Sequence, residues 1–77
     1  MYERKSHHKV VARFESAGSK YEVVENKRAQ RKRFILICKA PLSFGWHEVM
    51  NRSNYLDLEV AARIWQGLTF PAGKELK

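Results

Sequence analysis

Three histidines, one cysteine and a dense run of cations are the side chains of this chain that could do chemistry. His7, His8, Cys38 and His47 are the right types for zinc, but the chain has a single cysteine, so the paired-cysteine spacing of structural zinc sites is missing. Adjacent His7 and His8 are expected to point to opposite sides of an extended chain, and no metal or other cofactor is expected. His47 and Glu48 could supply an acid and a base, yet sequence neighbours rarely converge on one substrate atom. The enzymatic form such residues would take is a small ribonuclease toxin using His47 and the arginines of the basic 26–33 segment, and a non-enzyme is expected instead.

The cations carry more information. Asn26 to Arg33 holds five of them, Lys27, Arg28, Arg31, Lys32 and Arg33, with no acid among them. Their mutual repulsion favours an exposed loop, and such a loop makes a field that captures phosphates. Arg4, Lys5, Lys9 and Lys39 are expected to extend the patch. With Phe14, Phe34 and Trp65 assigned to the core, Tyr2, Tyr21, Phe44 and Trp46 could be exposed, and of these Tyr21, Phe44 and Trp46 are the candidates for stacking on bases or anchoring a partner.

Length and composition bound what these groups can belong to. With 77 residues the chain makes one thin domain, which excludes two-domain enzymes and doubly wound folds and leaves little room for a small-molecule pocket. Lys and Arg number 15 against 8 acids, a formal charge of +7, while 44% of residues are hydrophobic, enough for a folded core. Residues 1–39 account for the whole excess, with 11 basic and 4 acidic side chains; residues 40–77 have 4 of each. A lone Cys38 argues against a disulfide scaffold, and no apolar run approaches the roughly 18 residues of a membrane span. A cytoplasmic location without membrane contact is expected.

The elements that must position these groups follow from periodicity. Val10, Ala12 and Phe14 alternate with Lys9, Arg13 and Glu15, Val11 being the exception, which predicts a strand over 9–15. Ser16 to Ser19 predicts a hairpin loop, Tyr21 to Glu25 the return, and the apolar run Phe34 to Cys38 a central strand. Residues 40–54 read as irregular, with Trp46 to Met50 a short fourth strand or a helical turn. A helix over 57–67 is predicted with Asp57 as N-cap, Ala61, Ile64, Trp65 and Leu68 as its core stripe, Leu58 extending that stripe one turn back, and Gly67 as its end. Residues 1–8 are expected to be a flexible basic terminus and 71–77 a frayed tail. The whole is an α+β domain: an antiparallel sheet of three or four strands, a β-meander over 9–39, with one C-terminal helix on one face.

Two family resemblances stop short. Arg33 to Ile37 superficially resembles the core strand of RNA-recognition motifs but lacks their glycine, their alternating aromatics and the helix between the first two strands. Leu58 to Trp65 resembles the first helix of a helix-turn-helix, but the ten residues after Gly67, interrupted by Pro71, leave no room for a recognition helix. The expected function is therefore a small basic regulator, complete from Met1, that works by occupancy. Its partner would be RNA or DNA, or an acidic surface of a nucleic-acid-handling machine such as RNA polymerase or the ribosome. The rival is a protein-interaction module or inhibitor of bacterial or phage type, docking an acidic partner through the basic loop and the apolar 40–50 loop.

Overall fold

A computed structural model describes residues 7–71. Four strands and one helix follow in order: β1 (His8–Ser16), β2 (Ser19–Asn26), β3 (Phe34–Lys39), β4 (His47–Arg52) and α1 (Tyr55–Gln66). The strands pair in sequence order as an antiparallel meander, which makes the protein an α+β domain. The expected flexible stretch 1–8 lies mostly, and the expected tail 71–77 almost wholly, outside the described residues.

Strict alternation along β1 breaks at Val11, and the structure resolves the break as a bulge: Val10 pairs with Val24 and Ala12 with Val23, leaving Val11 as the extra residue, buried against the core. A second bulge at Val49 shifts β4, so that Leu36 faces Met50 and Ile37 faces Glu48. Residues 47–52 are thus a fourth strand, one of the two alternatives open for Trp46 to Met50, and not a helical turn.

The helix begins earlier than Asp57. Asn54 is the N-cap: its Oδ1 accepts from the Asp57 backbone N–H at 2.8 Å, and its Nδ2 donates to the Asp57 carboxylate at 2.9 Å. At the other end Gly67 takes φ 66°, and Leu68 N–H donates back to the Ala62 carbonyl, so the chain reverses as a glycine stop predicts.

The expected stripe holds at its ends, where Leu58 and Leu68 are buried, and fails at Ile64 and Trp65. The inward face of the helix is Leu58 and Ala62, both fully buried, with Tyr55; Ile64 is 81% and Trp65 44% exposed. After Gly67 the chain delivers Leu68, expected in the core, and Phe70, which was not, to the same buried cluster. Phe70 contacts Phe14 and Tyr55 at ring separations of 5.3 and 5.5 Å, and Tyr55 meets Phe34 edge-on at 5.9 Å, so one aromatic chain ties β1, β3, the helix and the closing segment together. The opposite sheet face carries a smaller cluster, Val24, Ile35 and Ile37, against which Val10 and Trp46 pack. Trp46 is what shields β3 on that side, without a second layer of secondary structure among the described residues.

Candidate nucleic-acid interface

The β2–β3 connection is the cationic loop. Asn26 still pairs with the next strand, its N–H donating to the Arg33 carbonyl at 2.6 Å, and then turns the chain: its Oδ1 accepts from Arg28 N–H at 3.0 Å and its carbonyl from Ala29 N–H at 3.2 Å. This asparagine-initiated turn holds the base of the loop and leaves its side chains outside. Lys27, Arg28, Arg31, Lys32 and Arg33 are all exposed.

They are not equivalent. Arg33 grips Glu25, with Nε and Nη2 each 2.7 Å from Oε2, and is partly neutralised. Lys27, Arg28, Arg31 and Lys32 form no ion pair with any described carboxylate. With no acid between Asn26 and Phe34, these four define the strongest positive field the described chain can concentrate in one segment.

The topology decides which other expected residues join them. Lys9 does, since β1 starts at this end: His8 is opposite Asn26 and Lys9 opposite Glu25. Arg52 joins from the last position of β4, opposite Phe34. The sequence pattern does not reveal it, because the possible fourth strand over Trp46 to Met50 stops short of Arg52 and has no register of its own. The His7 and His8 rings also sit here and, contrary to the expected splaying, pack edge to face at 4.6 Å. Lys39 does not join: it ends β3, five residues or about 17 Å from Phe34, and lies opposite Lys20 at the far end of the sheet. Arg4 and Lys5 lie outside the described residues.

The expected stacking platforms are not at the loop either. Tyr21 is a core residue, 5% exposed and stacked on Phe14 at 5.2 Å. Burial, then the neighbouring Cys38, raises its pKa above the usual phenol value. Phe44 is 88% exposed and Trp46 half-buried, but both belong to the β3–β4 connection at the opposite end. There an open cavity of about 450 Å³ is lined by Arg13, Phe14, Glu15, Lys20, Tyr21, Glu22 and Trp46. Its two cations face two carboxylates, and Arg13 Nε donates to Glu22 at 3.2 Å, so this hollow lacks the charge imbalance of the loop.

The groups considered for metal or acid-base chemistry meet only in pairs, His7 with His8 at one end of the sheet and His47 with Cys38 at the other. His47 faces Cys38 across β3 and β4, whereas Glu48 faces Ile37 and accepts from Asn51 at 2.7 Å. Among the described residues no group of three His, Cys, Asp or Glu could hold a metal ion, and no helix is long and apolar enough to cross a membrane. Tyr55 has a buried hydroxyl without a hydrogen-bond partner among the described residues, and burial, followed by nearby Glu59, raises its pKa.

Comparison with family models, with curated proteins and with solved structures returns no match.

Proposed function

We propose that this protein is a small non-enzymatic regulator that binds nucleic acid through the loop end of its sheet and acts by occupancy. The observation that carries the reading is the set Lys27, Arg28, Arg31 and Lys32: exposed, adjacent, and without a carboxylate partner among the described residues. Charge kept unpaired in one segment is suited to displacing counterions from a phosphate backbone, with Lys9 and Arg52 flanking it. Since the aromatics expected to stack lie elsewhere or in the core, backbone contact rather than base stacking is the mode this end supports.

Fluorescence anisotropy with labelled single- and double-stranded DNA and RNA tests this. Four phosphate contacts predict a log–log salt slope of about −3.6 on duplex, so affinity should fall by about 150-fold between about 50 and 200 mM salt. Replacing Lys27, Arg28, Arg31 and Lys32 together by Glu should weaken binding at least about a hundredfold at low salt. Unchanged affinity in that variant overturns the reading. Absence of nucleic acid binding, with nuclease-resistant recovery of one large assembly from a lysate, would move the loop's target to a protein surface.

A further inference from the structure

The side of α1 that faces away from the sheet carries its own apolar row. Leu56, Val60 and Ile64 recur every four residues, diametrically opposite buried Leu58 and Ala62, and are 65%, 42% and 81% exposed. This row belongs to the charge-neutral half of the chain, on a different element from the cationic loop. We propose that the row is a self-association face, docking α1 of a second copy in antiparallel orientation.

The spacing selects that occupant. With a two-fold axis across the helix at the level of Ala61 and a rise of about 1.5 Å per residue, the two rows interleave in the order Leu56, Ile64 of the second copy, Val60, Val60 of the second copy, Ile64, Leu56 of the second copy, about 3 Å apart along the axis. The same axis sets Glu59 level with Arg63 of the second copy on one flank. These two already pair within a chain at 3.6 Å, so the contact turns two ion pairs into one four-membered network. Charge also fixes the orientation. α1 begins at the loop end of the sheet, so antiparallel helices hold the two cationic loops at opposite ends of the dimer, whereas parallel helices would bring them together. Three side chains per copy make a small interface, so a dissociation constant on the order of 10–100 µM is expected.

Sedimentation equilibrium of the full chain from about 10 µM to about 1 mM reads this directly. The wild type should pass from monomer to dimer, and Val60→Glu or Ile64→Glu, both at exposed sites and both expected to leave the circular dichroism spectrum unchanged, should weaken the dimer at least about tenfold. Orientation is read by oxidation in a Cys38→Ser background. Val60→Cys should cross-link, while Leu56→Cys, whose two copies lie about 15 Å apart along the axis, should not. A monomer at every concentration assigns the row to another protein and overturns self-association. A dimer that survives both Glu variants, or a Leu56→Cys cross-link as efficient as Val60→Cys, overturns it too. None of these outcomes depends on nucleic acid binding.

Discussion

The two hairpins that share β2 close in opposite ways. Between β1 and β2, Ser16 pairs with Ser19 and only Ala17 and Gly18 lie between them, both with positive φ at 51° and 82°. Such a turn matches the right-handed twist of its strands and is set by geometry. Between β2 and β3 the strands are already aligned where Asn26 donates to Arg33, yet the chain spends six further residues outside the ladder, four of them cations. Two residues would have closed the second hairpin as well. The contrast separates a turn that serves the fold from a loop whose composition the fold does not require.

Replacing residues 27–32 by Asn-Gly breaks the comparison most directly. A two-residue turn should preserve the β2–β3 register, and the shorter loop has less closure entropy to overcome, so thermal stability should hold within about 1 kcal/mol. Nucleic acid affinity should fall at least about a hundredfold with the four charges gone. If the shortened protein unfolds, the loop is structural; if it binds unchanged, the charge is incidental. Denaturation and anisotropy on the same sample distinguish these.

What could be read in the sequence divides along the same line. The period-two pattern of Val10, Ala12 and Phe14, the glycine of the first turn and the apolar run Phe34 to Cys38 are local signals, and three strands, the loop and the helix end at Gly67 follow from them. Val11, the break in the alternation, is the extra residue of the bulge, which the pattern alone does not specify. The helix rotation was ambiguous because α1 is apolar on more than one side: the row through Ala61, Ile64 and Trp65 fits a buried face as well as the one through Leu58 and Ala62. The choice is settled by Leu68 and Phe70, which reach the core only after the chain reverses at Gly67. For the candidate interface, the loop cations were visible as a run and Lys39 follows from the end of β3, but Arg52 could be placed only once β4 was known to be a strand.

The first turn gives the next largest effects. Gly18→Ala should cost about 1–2 kcal/mol: a Cβ there would meet Pro41 Cγ at 3.6 Å, an ordinary contact, so the left-handed backbone and not crowding sets the loss. Ala17 already bears that strain, and Ala17→Asn, a residue that tolerates the conformation, should return about 0.5–1 kcal/mol. Both changes should leave nucleic acid affinity untouched, because this turn is at the end of the sheet away from the loop. Equilibrium denaturation measures the first pair of effects and anisotropy the second.

The smallest effects sharpen the distinction between cations that are held and cations that are free. Arg33 and Arg13 are both exposed and both paired, to Glu25 and Glu22, but Arg33 borders the loop and Arg13 sits on the β1–β2 ladder. Glu25→Gln removes the competing carboxylate and should release Arg33 to the polyanion, tightening binding about two- to threefold and steepening the salt slope by up to one contact. Arg13→Ala should change affinity by less than about twofold and stability by less than about 1 kcal/mol, as exposed pairs usually do. Were Arg13→Ala to weaken binding as much as loss of a loop cation, the ladder face rather than the loop would be the surface that meets the phosphates.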